Sequence, residues 1–239
     1  GYGSAGLSTE LAHRVTELCN LADYNIRKGI DFHSGADLNI YRNYVVANGV
    51  AGFFISGSAN FLGGVIKLHH NNITGMNPDV SQTIHGLEST REVVAIWAYP
   101  KFLRPSATAP QIEIAYNRIT NFTTKAMPGI ATNQQFTPFQ LRSEAYSNAS
   151  YNVHHNTIDT GSINQLINTA AGTIPDGMTA LPAGQQSISF HDNTLTYKAM
   201  SRIQLILLSQ AAEVSAVNNV ATLVGHTSNT DAWDDAKIQ

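Results

Sequence analysis

The 239-residue sequence has few charged residues, a single cysteine and no long apolar run. Charged residues make up 13% of the chain, about half of the roughly 25% that is usual in soluble domains. The net charge is -3 and lysine and arginine form no run, so nucleic acid is not an expected partner. No segment approaches the roughly 18 apolar residues of a membrane-spanning helix, so we expect no membrane insertion.

Cys19 is the single cysteine, which excludes an internal disulfide and a cysteine-based metal cluster. We expect it to be a buried structural thiol. The sequence also contains no glycine-rich phosphate loop, nucleophile elbow or zinc signature. It therefore predicts no cofactor.

A short repeat built around asparagine occupies most of the chain. The pattern apolar-x-apolar-x-x-Asn-x-apolar occurs six times. Alternation before the asparagine predicts a strand with one buried face. Asparagine tolerates left-handed backbone conformations and both donates and accepts hydrogen bonds, so it predicts a corner at which identical side chains stack. The six corner residues are Asn43, Asn71, Asn117, Asn156, Asn193 and Asn219.

The spacing of the corners indicates the fold class. Consecutive asparagines lie 26 to 46 residues apart, so the shortest intervals suit one β-helix coil and the longer ones contain insertions. We predict an all-β, right-handed parallel β-helix, a solenoid with loop insertions at 74–111 and 161–186 and a polar tail at 227–239. We expect residues 1–239 to form a single β-helix domain, as a fragment of a longer chain.

Two alternatives remain open. A β-sandwich also has alternating strands, although sandwiches do not usually repeat a buried corner asparagine. Near the N-terminus, an imperfect seventh copy around Asn20 competes with an amphipathic helix that contains Leu7, Leu11, Val15 and Leu18.

The run from Tyr24 to Gly35, followed at once by the first repeat, resembles pectate-lyase-like β-helix proteins, in particular the receptor-binding tailspikes of bacteriophages. The resemblance covers most of residues 14–225. It implies a homotrimer on the virion tail that binds a bacterial surface polysaccharide for host recognition and often depolymerises it as a glycosidase or lyase. The alternatives are a non-catalytic adhesin or structural spike, and a monomeric, secreted microbial uronate lyase or epimerase.

The segment Gly29–His33 is similar to the G-x-D-x-H run of alginate epimerases and related lyases. This resemblance carries over Asp31 and His33 as catalytic residues, whereas Lys28 stands where that family has a tyrosine. In a strand with Ile30 and Phe32 inward, both side chains point outward about 7 Å apart. His33 can then transfer a proton, and Asp31 can orient it or act as a general acid.

Neighbouring residues extend this candidate site. Arg27 and Lys28 are predicted to neutralise a sugar carboxylate. The offset from Asn20 to Asp31, applied to Asn43, places Phe54 and Ser56 beside Asp31 and His33. Aromatic rings stack on sugars, and guanidinium groups bind hydroxyls. If strands at 96–99, 139–142 and 202–205 continue the column, its outward residues include Trp97, Tyr99, Gln140, Arg142, Arg202 and Gln204, and we predict substrate contacts from Trp97, Tyr99, Arg142 and Arg202.

Five histidines lie just before corner asparagines. His69, His154 and His191 come two residues before the asparagine, and His70 and His155 come directly before it. A zinc site requires three or four converging ligands, whereas alanine and valine interrupt this column. We therefore predict an exposed strand face rather than a metal site.

Overall fold

The structure of the protein, a computed structural model, describes residues 5–10, 16–23, 28–33, 37–46, 51–56, 64–75, 92–99, 101–102, 110–121, 135–141, 144–145, 149–163, 166–169, 186–199, 206–207 and 212–224. The regular elements in these ranges are all β-strands. Accordingly, this part of the chain contains no helix of the length and apolar character that crossing a membrane requires.

The described residues contain twenty-three strands. The first twelve are β1 (Ala5–Glu10), β2 (Thr16–Leu18), β3 (Leu21–Asp23), β4 (Lys28–His33), β5 (Leu38–Tyr41), β6 (Tyr44–Val46), β7 (Ala51–Ser56), β8 (Val65–His69), β9 (Asn72–Thr74), β10 (Glu92–Tyr99), β11 (Lys101–Phe102) and β12 (Gln111–Ala115). The others are β13 (Arg118–Thr120), β14 (Gln135–Leu141), β15 (Glu144–Ala145), β16 (Ala149–His154), β17 (Thr157–Ile163), β18 (Ile167–Asn168), β19 (Gln186–His191), β20 (Thr194–Ala199), β21 (Ile206–Leu207), β22 (Ala212–Val217) and β23 (Val220–Leu223).

These strands form three parallel sheets of seven strands each. Sheet 1 has the order β1-β4-β7-β10-β14-β18-β21, sheet 2 the order β2-β5-β8-β12-β16-β19-β22, and sheet 3 the order β3-β6-β9-β13-β17-β20-β23. β11 and β15 form a separate pair. The chain therefore runs through sheets 1, 2 and 3 in turn, and we call one full round through the three sheets a pass. Stacked parallel strands in three sheets are compatible with the predicted parallel β-helix.

Alternation along each strand divides the side chains between a core and an outer face. In β16, Ala149, Tyr151 and Val153 are buried whereas Ser150 and Asn152 are exposed. Because successive passes are in register, equivalent core residues lie beside one another, as Tyr151 does with Ile188 in the next pass. Apolar residues of all three sheets form one hydrophobic cluster. Equivalent positions of the sequence repeat therefore form columns of packed side chains along the stack.

The corner asparagines form a continuous hydrogen-bonded ladder. At each step the side-chain Nδ2 of one asparagine donates to Oδ1 of the next at 2.9–3.0 Å. The backbone N–H of the same asparagine donates to the same oxygen at 2.9–3.0 Å. From Asn43 onward, Nδ2 also donates to a backbone carbonyl of the preceding pass, as Asn117 does to Leu68 at 2.8 Å. The ladder starts at Asn20, so this residue belongs to a seventh copy of the repeat, and the alternative of an amphipathic helix is wrong.

The left-handed backbone conformation occurs one residue earlier than the sequence suggested. The residues preceding the ladder asparagines have φ angles of 53–56°, whereas no ladder asparagine has a positive φ. Asparagine is therefore required for its amide, which is buried within the ladder, rather than for its backbone freedom. Cys19 occupies one of these left-handed positions and is exposed, because that residue faces outward at the corner. The expectation of a buried thiol was wrong.

Both spans predicted as loop insertions contain strands of sheet 1. The span 74–111 includes β10 and β11, and the span 161–186 includes β18 and the end of β17. The prediction was too broad because sheet 1 has no corner asparagine to mark its strands in the sequence. The predicted polar tail at 227–239 lies outside the described residues.

Burial of Tyr151 predicts a loss of stability in alkali. The side chain is 1% exposed, and burial raises the pKa of its hydroxyl well above the usual value. The unfolded state therefore loses this proton near pH 10 while the folded state keeps it, so the free energy of unfolding falls as the pH rises above about 10. Unfolding in urea at pH 8 to 11 measures this slope. We expect Tyr151→Phe to make it shallower, and Tyr116→Phe, at an exposed ring, to leave it unchanged; equal slopes for both variants would contradict the prediction.

Candidate functional site

The predicted column around Asp31 is present in sheet 1. Asp31 pairs with Phe54 and His33 with Ser56, as the offset from the corner asparagine predicted. Trp97 follows beside Phe54, and Gln140 beside Trp97. The strands predicted at 96–99 and 139–142 therefore coincide with β10 and β14 in the same column.

The column then continues through residues that the sequence did not indicate. Asn168 of β18 pairs with Gln140, and Leu207 of β21 pairs with Asn168. The predicted strand at 202–205 lies outside the described residues, and the described strand that follows β14 in the sheet is β18. β18 and β21 are each two residues long and lack the asparagine repeat, so no sequence signal set their register.

Two polar side chains of this column are buried. Asp31 is 3% exposed and Gln140 is 1% exposed, although both point away from the apolar core. The rings of Phe54 and Trp97 meet edge to face, with centroids 5.1 Å apart. A carboxyl group at this depth does not reach a polymer at the surface, so geometry adds no support to the catalytic role predicted for Asp31. That role stays a prediction.

Other predicted site residues are only partly described. Lys28 and His33 lie in β4, and Tyr99 lies in β10, but only their backbones are described. Arg27, Arg142 and Arg202 lie outside the described residues. Their proposed contacts with substrate remain predictions.

The glycine of the G-x-D-x-H run lies beside a second glycine of sheet 1. Its strand neighbours pair in register with those of Gly52, so Gly29 lies beside Gly52 in the stack. A Cβ atom on Gly52 would lie 2.7 Å from the backbone oxygen of Ala95 and 2.8 Å from Cγ2 of Ile73. Small residues are required there because sheets 1 and 3 approach closely.

Planar side chains form a second cluster on the outer face of sheet 2. The rings of Tyr41 and His69 are stacked, with centroids 5.1 Å apart and planes 1° from parallel. His69 Nε2 lies 2.9 Å from Oδ1 of Asn39, and His69 Nδ1 lies 2.9 Å from Nδ1 of His70. Burial, followed by the charges of His70, Lys67 and Arg42, lowers the pKa of His69 against the opposing effect of Glu113. His69 is therefore a neutral imidazole near pH 7.

Later passes repeat this arrangement. His154 stacks on His191 with centroids 5.0 Å apart, and its Nδ1 lies 2.9 Å from Nδ1 of His155. His154 Nε2 lies 3.3 Å from Oε1 of Glu113. In the following pass, His191 Nδ1 lies 2.7 Å from Oδ2 of Asp192, and this hydrogen bond lowers the pKa of the Asp192 carboxyl.

Tyr116 connects the two histidine pairs. Its ring stacks on His70 at 5.0 Å and on His155 at 4.9 Å. Thus a planar side chain at the left-handed position bridges the pass in which Ala115 interrupts the histidine column. The predicted exposed face is only partly correct: His70 and His155 are exposed, but the stacked His69, His154 and His191 are half-buried. Groups of three or more metal-ligating side chains are not found among the described residues.

Beside this cluster, the outer face of sheet 2 has a shallow polar groove of about 540 Å³. Serine hydroxyls, one amide and one carboxylate are among the described residues that line it, together with three residues that alternate with them in the same strands. These lining residues are Ser150, Asn152, Ser187, Ser189, Glu213 and Ser215, with Tyr151, Ile188 and Val214. The groove was not predicted from the sequence, although serines alternate with apolar residues in the last repeats, and this alternation was the available signal.

The groove and the ring cluster are contiguous. Asn152 lines the groove, and its Oδ1 lies 3.0 Å from Nε2 of His191. Ser187 donates to Ser150 across two strands of the groove floor at 3.3 Å. A ligand in the groove would therefore meet hydroxyl and amide groups, with aromatic rings at one side. No protein-family model, curated protein or solved structure matches the chain.

Proposed function

We propose that the chain is a right-handed parallel β-helix of the tailspike type, whose sheet 2 face binds a bacterial surface polysaccharide. The polar groove beside the ring cluster is the observation that carries this proposal. Sugars present hydroxyl groups that pair with serine and asparagine side chains, and apolar faces that pack on rings. Parallel strands also offer equivalent groups about 4.8 Å apart from pass to pass, which suits a polymer with repeating units.

The tailspike assignment rests on the resemblance of the run from Tyr24 to Gly35 and on the three stacked parallel sheets. In this proposal the protein is a homotrimer at the virion tail. The alternative is that the protein is secreted or otherwise extracellular. The tailspike proposal predicts a trimer, whereas a microbial uronate lyase or epimerase would be a monomer. Light scattering measures the molar mass and distinguishes the two.

Binding without cleavage is the second candidate function. A glycosidase generally places two carboxyl groups about 5–9.5 Å apart across the scissile bond. Among the described residues that line the groove, Glu213 is the one carboxylate, and Asp31 is buried in sheet 1. These two observations favour a non-catalytic adhesin over a depolymerase at this face.

A polysaccharide panel tests the proposal. We expect at least one capsular or O-antigen polysaccharide to bind, and Ser187→Glu to weaken binding about tenfold or more, equivalent to about 1.4 kcal/mol. The added carboxylate enters the groove, displaces sugar hydroxyls and repels an acidic polymer. Thr194→Glu is the matched control, because Thr194 is exposed in sheet 3 and outside the groove. Equal weakening by both variants, or no binding across the panel, would overturn the assignment of this face.

Product analysis of the same mixtures separates the candidates. New reducing ends would indicate hydrolysis, ultraviolet absorbance of an unsaturated uronate would indicate elimination, and binding with neither supports the adhesin. Asp31→Asn and His33→Gln then test the predicted catalytic pair. Cleavage that persists in both variants would exclude that pair.

A further inference from the structure

In two histidine pairs on the outer face of sheet 2, the Nδ1 atoms of neighbouring imidazole rings lie within hydrogen-bond distance of each other. In each pair the first histidine ends a strand and the second has a left-handed backbone, with φ of 56° at His70 and 53° at His155. This corner brings the two Nδ1 atoms to 2.9 Å in both His69–His70 and His154–His155. The equivalent corner in the next pass brings His191 Nδ1 and the Asp192 carboxylate to 2.7 Å. The corner itself therefore aligns neighbouring donor atoms.

The other ring nitrogen of each strand histidine is held by an acceptor. His69 Nε2 faces the amide oxygen of Asn39, and His154 Nε2 faces the carboxylate of Glu113. A hydrogen on Nε2 satisfies both contacts, which leaves the Nδ1 lone pair directed at the neighbouring histidine. Metal-binding histidines typically have this arrangement, because an acceptor on the far nitrogen fixes the tautomer and orients the ring. His70 and His155 are exposed and can shift their own hydrogen to Nε2.

From these contacts we propose that each pair binds one divalent transition-metal ion of the copper(II) or nickel(II) class through its two Nδ1 atoms. With metal–nitrogen bonds of about 2.0–2.1 Å, nitrogens 2.9 Å apart subtend about 90° at the metal. That angle suits adjacent positions of a square-planar or tetragonal ion, whereas tetrahedral zinc requires nitrogens about 3.4 Å apart. Both rings turn so that their lone pairs converge, and water occupies the remaining positions.

The two histidine pairs are neighbours on the same face of sheet 2. Tyr116 is stacked between His70 and His155, so its ring lies between the two pairs. Each site has two protein ligands, which agrees with the lack of any group of three or more ligating side chains in the described part of the chain. Because two positions are filled by the protein, the metal keeps positions for small oxygen or nitrogen donors. The histidine pairs belong to the ring cluster that adjoins the polar groove, but metal binding by them does not depend on the proposed function.

Copper(II) titration followed by electron paramagnetic resonance tests the proposal. We expect the full chain, in a buffer with glycine as a weak competitor, to bind two copper ions, each with two imidazole nitrogens in its spectrum. His70→Asn and His155→Asn should each remove one ion, weakening that site tenfold or more, and the double variant should remove both. Nickel(II) should displace copper more effectively than zinc(II) at the same concentration.

The variants are chosen to preserve the corner. Asparagine tolerates the left-handed conformation, and Asn218 already occupies the equivalent position with φ of 56°. Arg42→Asn makes the same change at an equivalent corner without removing a histidine, and should retain both copper ions. Thermal unfolding identifies any variant that fails to fold. Undiminished two-nitrogen copper spectra in the folded double variant, or loss of copper in Arg42→Asn, would overturn the proposal.

Discussion

Asn117→Ala is expected to lower the free energy of unfolding by about 3–5 kcal/mol, because buried donors left without acceptors cost about 1–3 kcal/mol each. Asn117 is 1% exposed. Its Oδ1 accepts from the backbone and the side chain of Asn71, and its Nδ2 donates to Leu68 and Asn156. Alanine removes all four hydrogen bonds and leaves both donors of Asn71 without their acceptor. Urea unfolding monitored by circular dichroism measures the loss.

Asn117→Asp tests whether the donor half of the amide is essential. Aspartate keeps an acceptor for Asn71 but turns a carboxylate oxygen toward the carbonyl of Leu68 and Oδ1 of Asn156. We expect a larger loss than for alanine at pH 7, because a buried charge then faces two acceptors. These contacts raise the pKa of the new carboxyl above its unfolded value, so stability should recover as the pH falls toward 4.

Asn121→Asp is the control for the ladder variants. Asn121 is exposed and has a positive φ that aspartate tolerates. Its backbone N–H donates to the carbonyl of Asp159, which the substitution leaves in place, and the one described contact of its side chain is a donation to Thr74 at 3.2 Å. We expect a change within about 0.5 kcal/mol. An Asn117→Asp protein as stable at pH 7 as the parent would show that the ladder amides do not hold the passes together.

Phe139→Ala should also lower the free energy of unfolding by about 3–5 kcal/mol, the range for removing a buried aromatic ring. Phe139 in sheet 1 is fully buried and meets Phe190 in sheet 2 edge to face, with centroids 6.1 Å apart. Its loss opens a cavity between sheets 1 and 2, where these two rings from successive passes meet. Denaturant unfolding with an unchanged m-value would attribute the effect to the folded core.

Two variants calibrate that core prediction. Phe139→Leu retains part of the volume and should cost less than Phe139→Ala. Tyr44→Ala removes a ring that is 43% exposed, so its cost should be well below that of the core variant. If Phe139→Ala and Tyr44→Ala cost the same, Phe139 does not pack as described.

The asparagine corners and the strands of sheets 2 and 3 were predictable because one chemical requirement recurs in every pass. A side-chain amide supplies two N–H donors and an acceptor oxygen, and the buried corner uses all of them, so Asn43 and its equivalents reveal the pass boundaries. The position of Phe54 beside Asp31 followed from the same offset and is observed. The constant spacing from the corner asparagine was therefore sufficient to predict this strand register.

Sheet 1 and the outer surface were harder to predict. β18 and β21 are two residues long and follow segments of variable length, so spacing does not determine their register. Burial of Asp31 depends on groups distant in sequence, which alternation along one strand does not report. Each histidine pair combines the last residue of a strand with the next residue, which has a left-handed backbone. The alternation of a β-strand predicts that two consecutive side chains point to opposite faces of the sheet. The actual backbone angles bring them together.

Every step of the asparagine ladder runs in the same direction along the stack. Oδ1 faces the preceding pass and one Nδ2–H faces the following pass, from Asn20 to Asn219. The side-chain amide dipoles, each comparable to the ~3.5 D of a peptide unit, therefore add instead of cancelling. The interior of the stack consequently has an electrical polarity, with a partial negative charge at Asn20 and a partial positive charge at Asn219. Anions are favoured near one end of this axis and cations near the other.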